Sequence, residues 1–183
     1  TFKEWDASIR VNFTAQLGIV YELLPSRVKS QGSLQPSVLF FAGGGTNKAT
    51  VRYSAYTISK IALIKMCELL DAEITDTRFS IVGPGWVGTK IHQATLDAGA
   101  NAGDHVEATR QKLASDELTP METVLDCCDW VLEGSREIVG GRNFSVVFDN
   151  WGDPELNRLL NSDENMYKLR RSGNDILIKR PTD

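Results

Sequence analysis

From Phe2 to about Leu24 the apolar residues Trp5, Ile9, Phe13, Leu17, Val20 and Leu24 recur at three- and four-residue intervals, the period of one helical face. The pattern predicts a helix that Pro25 stops. A polar linker, Ser30 to Gln35, leads to Ser37-Val38-Leu39-Phe40-Phe41, a short and nearly continuous apolar run of the kind a strand shows when both faces of a parallel sheet cover it. Gly43-Gly44-Gly45 ends that strand in a loop. A second long helical pattern runs from Ser54 to Ile74 through Ile58, Ile61, Leu63, Ile64, Met66, Cys67, Leu69 and Leu70. Its apolar arc is wide enough to meet the sheet on one side and a partner subunit on the other.

Phe79-Ser80-Ile81-Val82 is the next buried-strand pattern, and it runs into the turn Gly83-Pro84-Gly85. Such a turn at a strand end is a usual ligand position in an α/β sheet. From about Thr89 to Pro120 the periodicity is weak, and both histidines, His92 and His105, fall there. This stretch reads as a helix-containing insertion. Thr119-Pro120-Met121-Glu122 resembles an N-cap with Pro at the first helical position, opening a helix that reaches about Leu132. Phe144 to Phe148 is a third strand pattern after Gly140-Gly141, and the charged tail from Asp149 to Asp183 holds one short helix near Pro154 to Leu160.

Strand, helix, strand, helix, strand is the order of an α/β protein with a mainly parallel sheet. Three strands are few for such a sheet, and the chain opens on Thr1 directly in a helical pattern, so a fragment is expected.

Composition narrows the partners. A net charge of -4 and a pI near 5.3 leave no basic surplus for nucleic acid or a membrane surface, so a small-molecule or protein partner is expected. Cys67, Cys127 and Cys128 form no disulfide framework and no metal-ligand spacing, which fits reduced thiols. No membrane-length apolar stretch and no secretory leader pattern occur. A cytoplasmic location is the expectation.

Trp5 with Asn12 in Trp-Asp-Ala-Ser-Ile-Arg-Val-Asn, then Tyr56-Thr57-Ile58-Ser59-Lys60, then Pro84-Gly85-Trp86-Val87-Gly88-Thr89 stand in one order. That order and spacing resemble the short-chain dehydrogenase/reductase family over nearly all of Trp5 to Phe148, with a tail like that of one bacterial branch. The resemblance implies a Rossmann-like three-layer α/β fold with a mainly parallel sheet, of which residues 1–183 would be the C-terminal half of a single domain without its nucleotide-binding half. Residues 90–120 would be a substrate lid and 149–183 a polar tail.

Carbonyl reduction or alcohol oxidation needs a proton donor or acceptor at oxygen while hydride moves at carbon. A free tyrosine, with a pKa of about 10, is a poor base near neutrality, but a cation one helical turn away favours its phenolate. Lys60, four residues after Tyr56, falls on the same helical face. By resemblance, Tyr56 is the acid/base, Lys60 lowers its pKa and binds the nicotinamide ribose, and Asn12 holds a water in a proton relay to Lys60. Tyr56, Lys60, Pro84, Gly85, Val87 and Thr89 would line the cofactor, which is NAD or NADP, with Thr89 on the nicotinamide carboxamide. Alternatively, Asn12 is a polar residue within a helix and Thr89 a helix cap.

Two departures from the family stand out. The serine usually found thirteen residues before the tyrosine is Gly43 here, preceded by Ala42. Thr46 or Ser54 could substitute for it. Losing one preorganised donor to a reacting oxygen costs about 2.7–4 kcal/mol in an oxyanion-hole setting. No glycine-rich dinucleotide motif follows an N-terminal strand.

Two functions compete: an NAD(P)-dependent oxidoreductase interconverting a carbonyl and a secondary alcohol, and a non-catalytic oligomerisation module retaining the two long helices. A homodimer or homotetramer is expected under either. Asp97, Asp104, His105, Glu107 and Arg110 in the lid suggest a hydroxylated substrate such as a sugar or polyol.

Overall fold

The computed structural model describes residues 1–28, 35–115 and 117–173. Most of the Ser30 to Gln35 linker and the end of the tail lie outside the described residues.

The N-terminal helical pattern forms α1 (Phe2–Ile9), a π-helical turn (Arg10–Thr14) and α2 (Ala15–Leu23). Thr1 opens α1 with a capping box, its hydroxyl accepting from the Glu4 N–H. The π turn interrupts what the periodicity predicts as one regular helix, and Ala15 N–H donates to Arg10 O across five residues. Side-chain amides take up neighbouring carbonyls: Asn12 Nδ2 donates to Ser8 O at 3.0 Å and Gln16 Nε2 to Asn12 O at 3.0 Å. Apolar periodicity does not register such an inserted residue, because the buried stripe continues on either side of it.

There follow β1 (Ser37–Phe41), α3 (Ser54–Glu73) and β2 (Arg78–Gly83). Beyond them come α4 (Gln93–Ala98), α5 (His105–Ala114), α6 (Met121–Glu133), α7 (Arg136–Val139), β3 (Asn143–Ser145) and α8 (Pro154–Ser162). The sheet is parallel throughout in the order β1-β2-β3, with Ser37 to Phe41 paired to Arg78 to Val82 and Ile81 to Gly83 paired to Asn143 to Ser145.

The pleat of central β2 sends alternate side chains to opposite faces. Phe79 and Ile81 join Phe40, Leu63, Ile64 and Cys67 in a core under α3, whereas Val82 joins Val124, Cys127, Val131, Phe144 and Leu160 in a core shared with α6 and α8. Helices on both faces of a parallel sheet make this the expected three-layer α/β fold.

Two boundaries move. The third strand ends at Ser145, three residues before the apolar run does, because Asp149 turns the chain: its carboxylate accepts from Ser145 N–H at 2.6 Å and its own N–H donates to Ser145 O at 3.2 Å. Phe148 is consequently 89% exposed. The cap of α6 is Pro120 rather than Thr119, whose N–H is drawn to Trp86 O at 2.7 Å.

Candidate active site

The C-terminal ends of β1 and β2 lie side by side, with Ala42 N–H donating to Val82 O at 2.9 Å. Phe41-Ala42-Gly43 and Gly83-Pro84-Gly85 therefore leave the sheet at the same edge, the position at which open parallel sheets bind ligands. Gly85, at φ +77°, turns the second of these segments where a side chain would strike Thr119 and Val147.

Tyr56 stands in the first turn of α3 with its phenol against Gly43. A Cβ at position 43 would lie 2.1 Å from the Tyr56 hydroxyl oxygen and 2.6 Å from Cζ. A side chain at this position would meet the phenol, so Tyr56 in this setting leaves room for glycine alone unless its ring shifts. The family's missing serine and the seating of Tyr56 are thus one feature: the hydroxyl occupies the space a serine side chain would fill. Among the proposed substitutes, Ser54 Oγ accepts from Trp5 Nε1 at 3.1 Å, and Thr46 and Ser54 line an open groove of about 520 Å³ with Thr50, Thr57, Ile58 and Ile61.

Lys60, one turn after Tyr56, is 6% exposed. Its ammonium donates to Phe41 O at 2.8 Å and sits 5.8 Å from the centroid of the Tyr56 ring. Burial pushes the amine below its ordinary value. The phenol of Tyr56 is pushed above its ordinary value, first by burial and then by neighbouring Tyr53. The expectation that Lys60 lowers the Tyr56 pKa is not met here, because burial governs both groups and the ammonium is turned to a backbone carbonyl. Ser59, fully buried, donates its hydroxyl to Tyr56 O at 2.6 Å.

Asn12 lies in the π turn, which packs against α3. Its amide donates back to Ser8, so the described contacts do not join it to Lys60. Thr89 is exposed, caps no N–H with its side chain and donates its own N–H to Val87 O at 2.8 Å. Val87 packs partly into the core, and its carbonyl also meets His92 Nε2 at 2.9 Å while the His92 ring stacks on Trp86 at 4.6 Å.

The residues Lys90 to Ala114 fold as two 3₁₀ turns with α4 and α5 and lie over the start of α3. Tyr53 and Thr95 share a hydroxyl–hydroxyl hydrogen bond of 2.6 Å. The Tyr53 ring meets Tyr56 edge-on at 6.4 Å and His105 at 4.8 Å. Arg52 donates to Asn101 O at 3.1 Å and Ala100 O at 3.4 Å. Sequence reading missed Tyr53 and Arg52, although Tyr53 stands three residues before Tyr56 at the helix start, where the two rings share a side. Asp97, Glu107 and Arg110 are engaged within the Lys90 to Ala114 segment itself, by Gln93, by Arg110 and Gln111, and by Glu107 respectively.

Among the described residues no group of three or more His, Cys, Asp or Glu side chains could hold a metal ion, and no helix is long and apolar enough to cross a membrane. The three cysteines are free and buried.

A family model described as short chain dehydrogenase matches residues 1–99. No curated protein gives a match. Two solved structures share the fold. An oxidoreductase from E. coli, yciK, superposes with a TM-score of 0.60 at 20% identity, covering 80% of this chain and 54% of its own. A short chain dehydrogenase/reductase from Saccharomyces cerevisiae, YIR035C, gives 0.66 at 22% identity, covering 85% of this chain and 60% of its own. The chain thus spans little more than half the length of either.

Proposed function

The chain belongs to the short-chain dehydrogenase family, and from that premise we propose that it is the substrate-side half of an NAD(P)-dependent oxidoreductase that interconverts a carbonyl and a secondary alcohol. The observation that carries the reading is the seating of the Tyr56 hydroxyl in the space left by Gly43, at the C-terminal edge of the sheet, with the Lys60 ammonium 5.8 Å from its ring.

The donor set suits the nicotinamide end of NAD or NADP. Lys60 has N–H groups beyond the one used on Phe41 O, enough for ribose hydroxyls, and Thr89 offers an exposed hydroxyl to a carboxamide beside the Pro84-Gly85 turn and Val87. The chemistry the bound cofactor supplies is hydride exchange at carbon. This chain's part is the proton and the orientation. A neutral phenol, which burial favours here, is the form that donates a proton to a developing alkoxide in the reductive direction. In the oxidative direction the same oxygen must lose its proton first, and Lys60 then stabilises the phenolate. Asn12 completes a relay only if its amide turns from Ser8, and that step belongs to the proposal.

With Gly43 in place of serine, the substrate oxygen has one hydroxyl donor fewer than in the family pattern, and Tyr56 carries both hydrogen bonding and proton transfer. The non-catalytic alternative has no specific observation in its favour. The same reading includes a reducing, cytoplasmic setting, supported by the three free cysteines. It also includes a homodimer or homotetramer, supported by exposed Val11 and Ile19 on the N-terminal helices and Ile58 and Leu69 on α3. Sedimentation as a monomer alone would remove the oligomer from the proposal. Titration of the protein encoded by the full reading frame with NADH and NADPH, followed by nicotinamide fluorescence, tests the main reading: saturable binding of one supports it and names the cofactor, and binding of neither overturns it.

A further inference from the structure

We propose that Tyr53 is a positioning residue that couples docking of the lid to the setting of Tyr56. The inference takes its catalytic meaning from the reading of Tyr56 as the proton donor, but its geometry stands apart from any cofactor. Tyr53 is the last residue before α3, outside the helical conformation at φ -114° and ψ 24°. One side of the ring meets Tyr56 edge-on and another meets His105 of α5, while the hydroxyl is bonded to Thr95 of α4 at 2.6 Å.

The residue before it points the same way. Arg52 has φ +67°, a conformation that residues other than glycine adopt sparingly, and from it the guanidinium reaches the carbonyls of Ala100 and Asn101. His105 Nε2 meets Val51 O at 3.2 Å. Three consecutive residues, Val51 to Tyr53, are therefore committed to the lid immediately before the helix that carries Tyr56.

Beyond these contacts, the described lid is held by the His92 contacts to Trp86 and Val87 and by buried Ala102. No residue of α4 is buried and only Val106 and Thr109 of α5 are. Polar contacts to Val51, Arg52 and Tyr53 consequently carry much of its docking, and polar contacts open at lower free energy than a packed core. With the lid down, the Tyr53 ring covers one side of the Tyr56 phenol; releasing Thr95 frees that ring and admits water to the phenol. The titratable groups in contact with Tyr56 or reached through Tyr53 are Lys60, Tyr53 itself and His105. Of these only Tyr53 bridges the lid to the helix. Lid position is thereby read at the proton-transferring oxygen.

The test uses the protein of the full reading frame without added nicotinamide, so that a failure of cofactor binding bears only on the proposed function. Thr95→Val, Tyr53→Phe, the double variant and Thr95→Ser are compared by amide hydrogen exchange over residues 93–114 and by alkaline absorbance titration, with the Tyr56 signal assigned as the component missing from Tyr56→Phe. Thr95→Val, which alters no atom of α3, is expected to speed exchange across α4 and α5 about fivefold, the effect of one lost hydrogen bond, and to lower the midpoint of Tyr56 ionisation. Tyr53→Phe should do both, the double variant should do no more than the larger single, and Thr95→Ser should restore wild-type behaviour. Faster lid exchange with an unmoved Tyr56 midpoint in Thr95→Val would overturn the coupling. So would additive effects in the double variant, or unchanged exchange in both single variants.

Discussion

Six residues of α3 are buried, with Leu63 and Cys67 at 0% exposure, whereas α4 buries none and α5 only Val106 and Thr109. The β1–α3–β2 unit is fixed by apolar packing on both sides of a parallel sheet, and the lid by hydrogen bonds and ring contacts to Arg52, Tyr53 and Trp86. On the proposed function, the difference gives the two regions different tasks. Proton transfer needs a phenol held within a fraction of an ångström, and Tyr56 and Lys60 stand on the rigid unit. Admitting and releasing a substrate needs a segment that opens cheaply, which is what a polar-latched lid provides.

The comparison breaks most readily in the core. Phe79, fully buried on central β2, should cost about 3–5 kcal/mol on truncation to alanine, measured by urea unfolding. A loss under about 1 kcal/mol would mean that packing does not hold the rigid unit. Gly43→Ser is expected to cost about 1–3 kcal/mol, the penalty of overpacking, because its side chain meets Tyr56. Restoring the family's serine should therefore lower turnover; a gain would show that Tyr56 can move aside without loss.

The pH dependence sharpens the same contrast with a gentler lever. The folded Tyr56 holds its proton above the ordinary value of 10.0, so as pH climbs past 10 the unfolded chain ionises first and the native state loses stability. That contribution is fully present below pH 10 and disappears as pH rises through the folded value; Tyr56→Phe should flatten this alkaline decline. Lys60, held below 10.5, acts with the opposite sign, its contribution being lost as pH falls from 10.5 through the folded value. The smallest global effect is expected of Arg52→Ala: unfolding free energy within about 0.5 kcal/mol of wild type, as for an exposed polar contact, with faster exchange confined to the lid.

Elements whose apolar pattern matches their burial were legible in the sequence. β1 was bounded to the residue, and α3 to within one, because their apolar runs end where the elements do; β1 is nevertheless less covered than its run suggests, since it is an edge strand with only Phe40 buried and Phe41 45% exposed. β3 was misjudged because Val146, Val147 and Phe148 continue the apolar run after Asp149 has already turned the backbone, a side-chain-to-backbone contact that no hydropathy pattern carries. The π turn escaped for a similar reason. At the site, the Tyr56–Lys60 spacing was readable because a helix dictates it. The role of Gly43 was readable only as an absence, since its meaning depends on a tertiary approach between a loop and α3. Tyr53 belongs with Gly43: its partner Thr95 is 42 residues away in sequence.

The most direct test of the central claim is turnover of Tyr56→Phe beside wild type, in the protein of the full reading frame, with nicotinamide binding measured on both. Loss of a positioned proton donor should lower turnover about 10²–10⁴-fold while nicotinamide still binds with similar affinity. Turnover within about tenfold of wild type would contradict the assignment of Tyr56 as the acid.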